Sequence, residues 1–122
     1  MKLFPSLQKR YAKERFTAVQ AQRLAQEIAF GPVVFQVSRL MLKFGIFRLL
    51  SDNREGLSLE QISQKTELSR YAAQVLLEAS LTIGTVLVKD DQYILAKAGW
   101  FLLNDEMAQV NMNFNQDVNY KG

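Results

Sequence analysis

Apolar residues recur at helical spacing through the first thirty positions, but thinly. Leu7, Tyr11, Ala18, Ala21, Leu24, Ala25 and Ile28 form an imperfect stripe, with Ser6 placed to cap it and Gly31-Pro32 placed to stop it. The pattern predicts one arm helix from about Ser6 to Phe30. So little apolar surface stabilises a helix poorly by itself. Either the helix is a solvated arm or it clasps a partner subunit, and the pattern leaves both open.

The next stretch, Val33 to Ser51, is far richer. Val33, Val37, Leu40, Met41, Phe44 and Phe47 make one face, while Phe35, Leu42, Ile46, Leu49 and Leu50 fill much of the rest. Its clearest polar stripe is narrow: Gln36, Arg39 and Lys43. A helix apolar nearly all round is buried on more than one side. A chain of 122 residues makes one modest core, so the expectation is a second burial surface, most simply a dimer interface. A central core helix is the alternative. Leu24, Ile28, Phe35, Leu42, Ile46 and Leu49 are the candidate interface residues. Gly45 falls inside this predicted helix at a cost of about 1 kcal/mol relative to alanine, which suggests close approach by a neighbouring helix.

Downstream the elements shorten. Ser58 and Gln61 carry a capping-box pattern for a helix over about Ser58–Lys65, with Leu59 and Ile62 on its apolar side. Thr66-Glu67-Leu68 reads as a turn. Ser69 caps a further helix, Arg70–Ile83, and Gly84 stops it. Two β-prone runs, Thr85–Lys89 and Gln92–Leu95, flank Asp90-Asp91 and predict a hairpin. Asp90 and Asp91 form a carboxylate pair on paper, but turn composition explains them more simply. A short helix is expected over Ala98–Leu103. Beyond Asn104 the chain is asparagine-rich yet retains Met107, Val110, Met112, Phe114, Val118 and Tyr120, and it reads as an interrupted connection. The expected fold is mainly α: a winged helix-turn-helix over 33–105, an N-terminal arm helix over 1–32, a small β-hairpin wing, and a connection over 106–122.

Composition narrows the function. The chain has neither cysteine nor histidine, which removes disulfides, thiolate or imidazole metal sites, and any nucleophile paired with a histidine base. No catalytic, cofactor-binding or metal-binding residue is expected. No apolar run approaches the ~18–20 residues of a membrane span, and Met1–Pro5 lacks the apolar stretch of a signal peptide. The reading is a cytoplasmic protein without a membrane partner.

Charge is unevenly spread. Residues 1–48 carry nine Lys/Arg against two Glu, a net +7, whereas 49–122 carry six Lys/Arg against ten Asp/Glu, a net −4. Reading DNA through the second helix of such a motif needs cations there and several phosphate contacts. With Ala72, Val75, Leu76, Ala79 and Ile83 taken as the core stripe of Arg70–Ile83, the opposite side holds Arg70, Gln74, Leu77, Glu78 and Leu81. Leucines there suit a protein neighbour, and the wing tip offers Lys89 against two aspartates. DNA is therefore not the expected partner. Lys9, Arg10, Lys13 and Arg15 in the arm keep a winged-helix regulator as the alternative, and Tyr11 and Phe16 among them suggest stacking on single strands.

Leu42-x-x-Gly45-Ile46-Phe47-x-x-Leu50, Leu57-Ser58-Leu59-Glu60-Gln61-Ile62-Ser63, Glu67-Leu68-Ser69, Leu76-Leu77-Glu78-Ala79, Tyr93-Ile94-Leu95, Gly99 and Leu102 together resemble the amino-terminal winged-helix domain of small-molecule O-methyltransferases that use S-adenosylmethionine. Arg48 stands where that family often has Asp, and Ala96-Lys97 replaces a common Leu-Thr. The resemblance covers roughly residues 30–105. It implies a homodimerising domain that does not bind DNA and helps wall a small-molecule substrate pocket. S-adenosylmethionine would be held by the chain's own downstream Rossmann-like catalytic domain, since no G-x-G-x-x-G occurs here. Phe35, Met41 and Phe44 are the candidates for a pocket wall, although core packing explains them equally well. A stand-alone interaction module is a third reading.

Overall fold

The computed structural model describes residues 4–115, with side chains to residue 113. The elements are α1 (Pro5–Tyr11), α2 (Ala18–Lys43), α3 (Ile46–Asp52), α4 (Leu59–Lys65), α5 (Arg70–Ile83), β1 (Val86–Lys89), β2 (Gln92–Leu95), α6 (Lys97–Asn104) and α7 (Glu106–Asn115). The architecture is mainly α with a hairpin wing. Contacts divide the chain at the Gly31–Pro32 bond into two compact units.

The helix expected over Ser6–Phe30 is two helices. Pro5 occupies the first turn of α1, where its missing N–H costs nothing. The chain leaves helical geometry after Tyr11 and re-enters it at Ala18. The restart has a local cause: Thr17 N–H donates to Gln20 Oε1 (3.0 Å) and Gln20 N–H donates to Thr17 Oγ1 (3.2 Å). This reciprocal pair is a capping box, readable in the sequence as Thr-x-x-Gln.

The Gly31-Pro32 stop is not a stop. α2 runs through it for 26 residues with Pro32 inside. Proline removes one ladder bond and crowds the carbonyl four residues back, which bends a helix more readily than it ends one. The true break comes at Gly45, whose φ of +75° lies in the left-handed region. An alanine methyl there would meet nothing within 4 Å. The glycine therefore supplies backbone freedom between α2 and α3, and the expected close approach of a second helix at this position is not found among the described residues.

Unit two, from residue 32 onward, holds the core. Met41, Ile46, Phe47, Leu50, Ile62, Ala73, Leu77 and Val86 are almost wholly buried, with Leu57, Leu76 and Leu103 close behind. α3 packs against α6 and β2, and α5 packs against α4 and β1. The caps read from the sequence in this unit form as expected, whereas Ser6 lies inside α1 and does not cap it. Ser58 and Gln61 make the capping box of α4, Ser69 accepts from Ala72 N–H, and Gly84 ends α5 at φ +104°.

β1 and β2 pair antiparallel from Val86↔Leu95 to Lys89↔Gln92. Asp90 and Asp91 both take positive φ, at +52° and +61°, so the hairpin closes through a two-residue type I′ turn whose twist matches the strands. Leu57 and Tyr93 exchange two backbone hydrogen bonds (3.1 and 2.7 Å) and tie the loop before α4 to the wing. Gly99 lets α6 approach the start of the wing, because a methyl there would stand 2.5 Å from the Thr85 carbonyl oxygen.

Two expectations in this unit shift. The buried arc of α5 is Ala73, Leu76, Leu77 and Ser80, while Val75 and Tyr71 are exposed and Leu81 packs on the core. The predicted stripe was rotated, because α4 and β1 together set which side is covered. The asparagine-rich stretch starts as helix α7, whose first turn is capped by Asp105 accepting from Met107 and Ala108 N–H. Val118 and Tyr120 lie outside the described residues.

Candidate dimerisation surface

Unit one builds no interior. Between residues 4 and 31 no described side chain is buried. Its share of α2 nevertheless carries large apolar groups: Val19 is 75% exposed, Ile28 69%, Phe30 61% and Leu24 39%. Helical geometry places Val19 and Phe30 on one side and Leu24 and Ile28 on the roughly opposite one. At ~25 cal/mol per Å² of apolar surface, leaving such side chains wet forgoes about 1.5–3 kcal/mol each. Val19 and Phe30 were not among the predicted interface residues. They stand among Gln22, Arg23, Gln26 and Glu27 on the polar side of the helix, where periodicity gives no signal for them.

The cations of unit one lie beside its rings. Arg10 and Arg15 each bring a guanidinium 5.9 Å from the Tyr11 centroid, and Arg15 also lies 5.8 Å from that of Phe16. Such contacts are worth ~0.5–1 kcal/mol at exposed sites, and they occupy rings that stacking on nucleic acid would need.

In unit two the remaining predicted residues separate. Phe35 is half-buried. Leu42 and Leu49 are half-buried with one side against the core. Ile46 is fully buried and offers a partner no surface, because α3 turns it inward after the Gly45 break. Met41 is likewise fully buried, so core packing accounts for it. Phe44 does border a cavity of about 420 Å³ together with Lys43, Lys65, Thr66 and Glu67. Lys43 Nζ stands 5.7 Å from the Phe44 ring centroid. The structure thus brings Phe44 to an open cavity, whereas Met41 and Ile46 sit in the core of unit two.

The exposed side of α5 carries Tyr71, Val75 and Glu78 rather than leucines. Arg70 is engaged: its Nε donates to Glu60 Oε1 at 2.6 Å. The Glu60 carboxyl is held below the ordinary carboxylate range, first by that hydrogen bond, then by a backbone hydrogen bond and the Arg70 charge. The Tyr93 phenol is pushed up by desolvation and by the nearby Glu78 and Asp91 charges. Among the described residues no group of three or more carboxylates is placed to hold a metal ion, and no helix is long and apolar enough to cross a membrane.

Unit one thus carries an exposed apolar helix segment, and unit two is a small helical core with a hairpin wing. The family model for the Dimerisation2-like domain matches residues 22–93, and the chain belongs to that family. Among solved structures it is similar to the S-adenosylmethionine-dependent methyltransferase SibL in its apo form, at 26% identity and a TM-score of 0.63, covering 76% of this chain and 28% of that one. LepI in complex with SAM aligns over 93% of this chain and 28% of its own, at 20% identity and a TM-score of 0.67. A protein described as a pericyclic reaction enzyme aligns over 93% and 27%, at 19% identity and a TM-score of 0.67. The last two show the fold alone. No curated protein matches the chain. The resemblance to the dimerisation part of S-adenosylmethionine-dependent methyltransferases is thereby borne out, and the chain spans about 28% of the length of these solved relatives.

Proposed function

We propose that this chain is the dimerisation and substrate-capping domain of a larger, cytoplasmic S-adenosylmethionine-dependent methyltransferase, and that it pairs with a second copy of itself without catalysing methyl transfer alone. The observation that carries the reading is the apolar part of α2, wet on two sides in a unit with no interior of its own. The interface would be built from Val19, Leu24, Ile28 and Phe30, with Phe35 as a further candidate. Stable homodimers bury upwards of ~1,200 Å², and a helix covered on two sides by a partner reaches that readily.

The described residues do not fit S-adenosylmethionine. The sheet is one antiparallel hairpin, with no parallel strand–helix turn and no glycine-rich loop to cradle the cofactor. Binding and methyl transfer are therefore assigned to a downstream domain toward which the 106–122 connection would lead. Phe44, at its open cavity, is the remaining pocket-wall candidate with Phe35. Duplex DNA binding has less support: Arg70 is engaged with Glu60, and the wing tip is Asp90-Asp91.

Sedimentation at micromolar concentration tests the pairing. The wild-type chain is expected to run as a dimer, and the double variant Ile28→Glu/Phe30→Glu as a folded monomer with unchanged helical signal. A clean wild-type monomer at tens of micromolar defeats the proposal.

A further inference from the structure

Unit two has a second, unrelated feature beside the wing. Arg54 from the loop after α3, Leu95 and Ala96 at the end of β2, and Lys97, Trp100 and Phe101 of α6 line an open cavity of about 240 Å³. Its floor and walls are apolar. Trp100 and Phe101 meet edge to face, with ring centroids 5.3 Å apart and planes at 85°, so that they form a corner. Both remain substantially exposed, at 40% and 53%.

The polar elements lining this corner carry one sign of charge. Arg54 and Lys97 are exposed, and neither is in an ion pair: the one ion pair among the described residues is Arg70–Glu60. Two cations outside any ion pair, beside an aromatic corner, complement an anion attached to a flat apolar body. The guanidinium fork takes a carboxylate through two parallel hydrogen bonds, and such charge-assisted bonds are roughly twice as strong as neutral ones. The volume sets the size. Pockets for drug-sized molecules run from roughly 300 Å³ upward, so this one takes a single ring with a short acidic arm.

We propose that the Arg54–Lys97–Trp100–Phe101 pocket is a binding site for a small aryl carboxylate, its ring against Trp100 and Phe101 and its carboxylate on Arg54 and Lys97. The site lies wholly in unit two and does not rest on the dimer reading.

Trp100 is the chain's one tryptophan, so the site carries its own reporter. The wild-type chain is titrated with 3-phenylpropionate, with 3-phenylpropanamide as the neutral match and acetate as the bare anion. The expected result is saturable change in Trp100 emission with the acid, at least tenfold weaker binding of the amide, and no saturation with acetate. Arg54→Gln/Lys97→Gln, checked for an unchanged melting curve, is expected to weaken the acid at least tenfold, and amide-proton NMR of the same variants reads binding without relying on fluorescence. Absence of saturation by both readouts overturns the proposal. So does equal binding of acid and amide, or undiminished binding by the double variant.

Discussion

The two units of this chain obtain order in different ways. From residue 32 onward, a dozen apolar side chains close over one another, and α3, α4, α5, α6 and α7 each pack against a neighbouring element. Before it, α1 and the first part of α2 bury none of their described large apolar groups, and all but the half-buried Leu7 are exposed. Secondary structure alone stabilises short helices weakly. Unit two can therefore stand on its own packing, whereas unit one depends on surfaces it does not itself supply. The helical pattern, present in both, does not distinguish them; the density of large apolar residues does.

Hydrogen exchange measures that contrast most directly. Amides in the middle of α5 are expected to exchange only through global opening, which for a domain costs about 5–15 kcal/mol. Those of α1 should exchange almost freely. Protection in residues 18–31 should rise with protein concentration if the proposed pairing covers them, and concentration-independent protection would count against it. Truncating the core is the next largest effect. Phe47 is fully buried, and Phe47→Ala should cost about 3–5 kcal/mol in denaturant unfolding. A loss below ~1 kcal/mol would mean that the interior of unit two is far looser than its burial implies.

The Gly45 break is a smaller test. Gly45→Ala meets no steric obstacle, so its effect isolates the left-handed backbone cost of about 1–2 kcal/mol. No change in the melting midpoint would show α2 and α3 joining into the one helix that the apolar pattern suggests. The smallest effect concerns Glu60. Its lowered pKa favours the folded state at neutral pH, and that contribution disappears as pH falls through the lowered value. Arg70→Gln should move the Glu60 titration up toward that of an ordinary carboxyl by carboxyl NMR, with no measurable change in unfolding midpoint because both side chains are exposed.

Much of unit two was legible in the sequence because its signals are local. Ser58 with Gln61, Ser69, Gly84 and the Asp90-Asp91 turn each act within four residues of themselves. Errors arose where a distant surface decides. The orientation of α5 follows from α4 and β1 together, which periodicity along α5 cannot encode. Ile46 looked equivalent to Leu42 until the Gly45 turn set the direction of α3. Gly31-Pro32 was overread, since a proline inside a helix kinks it, at a cost of about 3 kcal/mol, without forcing it to end. Thr17 and Gln20 carried a readable signal that was passed over. The exposed corner at Trp100 and Phe101 could not be foreseen, because it depends on the Arg54 loop reaching the end of the wing.

The type I′ turn of the wing has a practical consequence. A two-residue closure with both residues left-handed has no slack: one inserted residue changes the turn class or slips the register. A one-residue slip sends alternate side chains to the other face of a strand, and Tyr93, which anchors the hairpin to Leu57, would lose its seat. The wing is thus inelastic in length. Among places to graft an epitope or a fluorescent label, this exposed tip is a poor choice despite its accessibility.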